Sequence, residues 1–221
     1  MEKILTVKNL TKKFKRVAVN QISFEVQKGN VYGLLGPNGS GKSTTFGMLL
    51  STINPTSGEW FWFGEKGTST KTLKKIGAII EQPNFYPYLS AEKNLKIVAQ
   101  IKEVSYARID EVLALVGLLE RKKDAFKTYS LGMKQRLAIA SAMINNPEVL
   151  ILDEPTANMD RESEELLFDV LGKLKGGTTI IMATHDTDFV SALSDVVLCV
   201  GERRGCEHRI LRHAASPDER I

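Results

Sequence analysis

The stretch that most constrains this chain is residues 31 to 45, VYGLLGPNGSGKSTT. Val31, Tyr32, Leu34 and Leu35 read as a short buried strand. It runs straight into Gly36-Pro37-Asn38-Gly39-Ser40-Gly41-Lys42-Ser43, a full match to G-x-x-x-x-G-K-[ST]. Phosphate chemistry accounts for that composition. Glycines let backbone N–H groups turn inward onto phosphate oxygens, a lysine reaches the β and γ phosphates, and a serine hydroxyl can sit on Mg²⁺. Thr44 to Leu50 continue as a helix whose N-terminal dipole faces the anion. Strand, loop and helix together imply a nucleotide site in an α/β fold.

Composition narrows the class. A chain of 221 residues, 43% of them apolar, can bury one good core with a small appended subdomain. Net charge is +4, and the basic residues are spread over Lys12, Lys13, Lys15, Arg16, Lys74, Lys75, Arg121, Lys122 and Lys123. That spread reads as solvated faces, so no nucleic-acid partner is expected. No apolar run approaches the roughly 18 residues of a membrane span, and MEKILTVKNL lacks a signal-peptide core. A soluble, cytosolic protein is expected. Cys199 and Cys206 lack metal-type spacing, so thiols are the default.

Along the chain, Ile4 to Lys8 and Ile22 to Val26 read as antiparallel strands ahead of the phosphate loop. Phe14 lies between them in a basic, non-periodic stretch and fits either a base-stacking aromatic or a satellite-core one. Glu59 to Phe63 form a strand with Trp60 and Trp62 on one face and Phe61 and Phe63 on the other, both faces covered. Lys71 to Lys75 suggest a short helix. Ile76 to Ile80 read as a buried strand ending at Glu81-Gln82-Pro83, where the Gln82 carbonyl can reach a metal ion. From Ser90 to Asn146 the pattern turns helical: one helix opens at Ser90, a second covers Tyr106 to Val116, a third Leu131 to Ile144. Ser130 is the N-cap candidate of the third, with Gly132 in its first turn; this is either a second anion-facing terminus or a helix cap alone.

Val149 to Leu152 are four apolar residues that end in Asp153 and Glu154. A buried strand that delivers acids at its C-terminal edge is where open α/β sheets place their chemistry. Asp153 can hold Mg²⁺ through water, and Glu154 can polarise an attacking water. Glu162 to Leu174 follow as a helix, Thr178 to Ala183 as another buried strand, and His185 stands just past its end, placed to touch a γ-phosphate.

Together these pieces resemble the ATP-binding subunit of an ABC transporter, from about Ile4 to about Val200. The resemblance implies a P-loop NTPase fold with a mainly parallel central sheet, an N-terminal antiparallel β subdomain and an inserted helical subdomain. The core would be residues 1–82 and 147–200, the helical part 83–146, and 201–221 a loosely ordered tail. It implies Phe14 for base stacking, and Gly36, Asn38, Gly39, Ser40, Gly41, Lys42, Ser43 and Thr44 for phosphates and metal. Gln82 would contact Mg²⁺ and the transport partner, Glu154 would be the catalytic base, and His185 would sense the γ-phosphate. The signature falls at Tyr129-Ser130-Leu131-Gly132-Met133-Lys134-Gln135-Arg136. It departs from LSGGQ: Leu131 replaces a glycine and Met133 a glutamine. Ser130, Gly132 and Gln135 would face the ATP held by the other subunit of a head-to-tail dimer. Asn158 and Asp160 occupy the loop that would cross the dimer interface.

The variant SLGMKQR looks like that of bacitracin-type peptide antibiotic exporters. The implied function is an ATPase that works with a second copy or a homologous subunit, around ATP and Mg²⁺, to power drug or peptide export. Membrane-spanning permease subunits would hold it at the inner face of the membrane. Residues 156–164 and the following helix are more similar to metal-uptake subunits, and basic-residue usage changes there: 18 Lys and 4 Arg before residue 151, 2 Lys and 6 Arg after it. A hybrid of two homologous subunits joined near Asp153 is therefore an expectation, with a metal-uptake ATPase, or an ATP-binding domain without a transport partner, as alternatives. A soluble ABC ATPase acting on DNA or ribosomes is a further alternative, against which stands the single cassette. A GTPase or small-molecule kinase explains neither the signature nor His185.

Overall fold

The computed structural model describes residues 2–80, 85–157 and 159–200, with the backbone of 210 and 211. Two sheets organise them. The antiparallel one has the order β2-β1-β4-β5, from β1 (Lys3–Lys13), β2 (Val17–Gln27), β4 (Ser57–Trp62) and β5 (Glu65–Lys66). The second has the order β10-β9-β3-β8-β7-β6, from β3 (Val31–Leu35), β6 (Ile76–Ile79), β7 (Val149–Asp153), β8 (Thr179–Thr184), β9 (Val196–Cys199) and β10 (Ile210–Leu211). Strands β9, β3, β8, β7 and β6 pair in parallel; β10 joins antiparallel. This is the expected mixed α/β fold with a parallel sheet and an antiparallel β part.

The strand sequences explain which sheet is central. Every residue of β7 and β8 is buried, as a parallel sheet covered on both faces requires. Leu150 and Leu152 pack into a core under the helices, and Val149 and Ile151 into a second core with Phe46 and Trp62 between the sheets. The expected strand at Ile4–Lys8 is longer, reaching Lys13, because β1 pairs on both sides and absorbs register shifts at bulges where Asn9 and Gln21 take positive φ. Trp62 is fully buried, but Trp60, Phe61 and Phe63 are half-buried, so β4 is less covered than the aromatic run suggests.

Helices follow the sequence pattern: α1 (Lys42–Leu49), α2 (Thr70–Leu73), α3 (Ala91–Ile101), α4 (Ala107–Leu115), α5 (Leu131–Met143), α6 (Arg161–Leu174) and α7 (Thr187–Leu193). Ser90 caps α3, accepting from the Lys93 amide, and Ser130 caps α5, accepting from the Met133 amide. Of the expected loose tail, residues 201–209 and 212–221 lie outside the described residues; 210–211 are β10.

One buried polar side chain pins the segment that leads into the helices. Asn94 of α3 is 2% exposed; its Oδ1 accepts from the Tyr86 amide, and its Nδ2 donates to the carbonyls of Tyr86, Leu89 and Ser90. Removing it leaves the Tyr86 amide without its acceptor, at roughly 1–3 kcal/mol, and takes a donor from each of three carbonyls that keep a backbone partner, Tyr86 from Leu89, Leu89 from Phe126 and Ser90 from Asn94 itself. Asn94→Ala is expected to lose about 2–3 kcal/mol in urea unfolding; an unchanged midpoint would remove Asn94 from this role.

Candidate nucleotide site

The phosphate loop hangs from the carboxyl edge of β3, with β8 beside it and β7 next along. Gly36 donates its amide to the Thr184 carbonyl at the end of β8 (3.4 Å), and Val200 donates to the Leu35 carbonyl. The glycines are needed sterically at two places. A Cβ on Gly36 would lie 2.3 Å from the Val200 carbonyl oxygen. At Gly41, φ is +98° and a Cβ would lie 2.4 Å from the Ala18 carbonyl oxygen. Gly41 also occupies the N-cap of α1 with no side chain capping it and no acid in the first turn. The first-turn amides are thus left for an anion.

Lys42 is 5% exposed, and its ammonium has two carbonyl acceptors and one ion-pair partner. The Gly36 carbonyl lies at 2.7 Å, that of Pro37 at 3.2 Å, and Glu154 Oε1 at 3.2 Å. A buried ammonium needs such partners. Glu154 follows the end of β7 with φ +46°, its amide donating to the Ala183 carbonyl at 2.7 Å. A left-handed backbone at a glutamate is uncommon, and such outliers cluster at functional sites. Its second oxygen, Oε2, lies 2.9 Å from His185 Nδ1. The chain thus brings Lys42, Glu154 and His185 into one contact series from three separate elements, with Asp153, 7% exposed, at the tip of β7.

A Mg²⁺ ion fits the donor set only together with phosphates. No group of three or more His, Cys, Asp or Glu among the described residues could hold a metal alone. Mg²⁺ ordinarily uses one or two carboxylates plus substrate phosphates. Asp153 at the strand end is such a carboxylate, and Ser43, exposed in the first turn of α1, adds a hydroxyl oxygen. Thr44 is half-buried beside Ser43, while Asn38 and Gly39 are exposed on the loop and Ser40 is half-buried.

Other expected site residues lie elsewhere. Phe14 is 56% exposed at the turn between β1 and β2, with Lys12 Nζ 4.8 Å from its ring centre; it is not a core aromatic. Ser130, Gly132 and Gln135 sit on α5, and Gly132 lies against α6 rather than against the phosphate loop. Of the departures in the signature, Leu131 is 44% exposed and Met133 packs onto the core under the helices. Gln82 and Asn158 fall outside the described residues. Asp160 caps α6: its Oδ1 accepts from the Ser163 amide at 2.8 Å. That amide, and then the Ser163 hydroxyl, hold the Asp160 pKa below the ordinary carboxylate range. The cap is therefore fully formed above that range and is lost only as pH falls through the lowered value. Sequence reading missed Thr184, Ser163 and Asn94; a glycine in the first turn of α5 was the one signal pointing to Ser163.

The fold and this edge define a phosphate-loop nucleotide site in a parallel-sheet NTPase. The sequence pattern of the ABC transporter family matches residues 19–157, and the chain belongs to that family. It is 42% identical over 191 residues to an uncharacterized ABC transporter ATP-binding protein, YhcH, of Bacillus subtilis, covering 84% of this chain and 63% of that one. With the bacitracin transport ATP-binding protein BcrA of Enterococcus faecalis it shares 40% identity, over 89% of this chain and 66% of the other. With the lantibiotic transport ATP-binding protein SrtF of Streptococcus pyogenes it shares 41%, over 88% and 85%. The chain thus spans under two thirds of YhcH and about two thirds of BcrA. Among solved structures, cbiO1 of Clostridium perfringens, part of the ABC transporter complex cbiONQ, superposes with a TM-score of 0.81 at 28% identity, covering 96% of this chain and 88% of that one. The dimeric ABC transporter cassette MJ0796 bound to ADP and Pi gives 0.81 at 27%, covering 90% and 94%.

Lys42→Ala is expected to weaken ATP binding by roughly tenfold or more, as loss of a charge-assisted contact to phosphate implies. Equilibrium titration with a fluorescent ATP analogue measures it; unchanged affinity would contradict the phosphate role.

Proposed function

We propose that the chain is the ATP-hydrolysing subunit of an ABC transporter, closing head-to-tail with a second copy or a homologous subunit around two Mg-ATP, and driving export of a drug or peptide antibiotic. The observation that carries hydrolysis is the series Lys42–Glu154–His185 beneath an uncapped α1 terminus. Export draws support from the bacitracin and lantibiotic transport proteins among the relatives, and from a linearmycin resistance ATP-binding protein of Bacillus subtilis that is 36% identical.

Bound ATP supplies the γ-phosphoryl group, with Mg²⁺ to neutralise its charge next to Ser43 and Asp153. The chain's own residues do the rest. Amides of residues 39–44 and the Lys42 ammonium bind the phosphates and stabilise charge there. Phosphate oxygens replace the Glu154 carboxylate as a partner of Lys42. Glu154, so released, orients a water and accepts its proton, while His185 steadies its Oε2 and reaches toward the γ-phosphate. Phe14 stacks on the base. Ser130, Gly132 and Gln135 close on the nucleotide of the other subunit, and Asn158 and Asp160 lie at the dimer boundary. Permease subunits dock around Gln82 and the helical part, 83–146, on a core of 1–82 and 147–200. No helix among the described residues is long and apolar enough to cross a membrane, so that docking is what would bring the chain to the inner face of the membrane.

A hybrid origin has the change from Lys to Arg usage as its support. Alignments that take in 84% or more of a 221-residue chain necessarily cross residue 151, so single relatives span the suggested junction, and the export reading rests on the chain as a whole.

Glu154→Gln tests the assignment. It should retain ATP binding and slow steady-state hydrolysis by about 100-fold or more, the range of a general base. Turnover near wild type in a phosphate-release assay would remove Glu154 from that role.

A further inference from the structure

The loop after Glu154 is held by local backbone hydrogen bonds. Ala157 donates its amide to the Glu154 carbonyl at 3.1 Å, and Met159 to the Thr156 carbonyl at 3.1 Å. Met159 packs against the core under the helices. Asp160 then caps α6 through the Ser163 amide. Ser163 is 6% exposed, and its hydroxyl occupies the space where residue 132 would carry a side chain. A Cβ on Gly132 would lie 2.2 Å from Ser163 Oγ, 2.7 Å from Ser163 Cβ and 3.6 Å from Asp160 Oδ2. Gly132 is in the first turn of α5, where Met133 donates to Ser130 Oγ and Lys134 to the Ser130 carbonyl.

Interiors packed at this density transmit displacement instead of absorbing it. Ser163 is not itself a group the proposed mechanism uses, yet its two neighbours, Gly132 and Asp160, are. We propose that Ser163 is a positioning residue. Seated between Gly132 and the Asp160 cap, it couples the loop carrying Glu154 to the signature end of α5 within the same chain. This rests on the reading of the chain as a hydrolysing ABC subunit. Its consequence is that the side chain at 163 sets the register of the signature end of α5 against the loop that follows Glu154.

Two substitutions separate coupling from filling space. Ser163→Ala keeps the gap open, and Ser163→Val pushes branched methyl groups toward Gly132. Amide hydrogen exchange on the nucleotide-free full chain reads the coupling without any turnover. In Ser163→Val, exchange is expected to rise by about tenfold at Met133 and Lys134 and also at Ala157 and Met159, as local opening becomes easier at both ends; in Ser163→Ala, which removes only the hydroxyl between Gly132 and Asp160, a smaller rise of about threefold is expected at the same four. Steady-state hydrolysis adds a second reading. Ser163→Val is expected to lose kcat by about tenfold with ATP affinity unchanged, and Ser163→Ala to keep kcat within about threefold. If Ser163→Val fails to fold, Ser163→Thr, with one added methyl, is read the same way. A rise confined to Met133 and Lys134, or wild-type kcat in Ser163→Val, would overturn the coupling. Absence of hydrolysis by the wild-type chain would strike the functional reading and leave the exchange pattern to decide the role of Ser163.

Discussion

The Lys42 ammonium is the interaction on which the site depends. It is almost wholly buried, and its partners are two carbonyl acceptors of the phosphate loop and the Glu154 carboxylate after β7, which forms an ion pair with it. A buried cation without partners is costly, so the loop and Glu154 must be delivered to the same point. The parallel sheet does this. Strands β3, β8 and β7 are neighbours and end on one edge, so residues far apart in the chain, Lys42, Glu154 and His185, arrive in contact. The Glu154 carboxylate is the ion-pair partner of the lysine, the place that phosphate charge takes in the proposed mechanism.

Much of the fold is legible in the sequence because its determinants are local. Val149 to Asp153 and Thr179 to Thr184 are apolar runs that make sense only as strands covered on both faces, and Ser90 and Ser130 announce the helices they cap. The phosphate loop needs glycine where the backbone is left-handed or crowded by the Ala18 and Val200 carbonyls. What sequence could not supply were partners set by tertiary approach. Asn94 looks like one more polar residue on a helix, and its four hydrogen bonds exist only because the chain from Tyr86 to Ser90 folds over it. Ser163 is equally anonymous until α5 and α6 are packed. Phe14 shows the opposite case, a residue with two local readings that exposure separates, leaving it outside the core.

The unusual signature has a simple structural account. Gly132 is kept where α6 leaves no room for a side chain. Leu131 points outward from the same turn, and Met133 fills the core beneath it. These two departures from LSGGQ, at Leu131 and Met133, therefore fall at positions whose apolar side chains have a place to go. The serine cap and the glycine contact, which depend on backbone geometry, are intact.

The central claim is that this edge of the sheet hydrolyses ATP only when two chains close on each other. The most direct measurement is the initial rate of phosphate release by the purified chain across a wide range of protein concentrations at saturating Mg-ATP. The account predicts a rate per chain that rises with concentration and then levels off, as a dimer requires. A constant rate per chain down to the lowest concentrations, from protein that remains monomeric throughout, would contradict it.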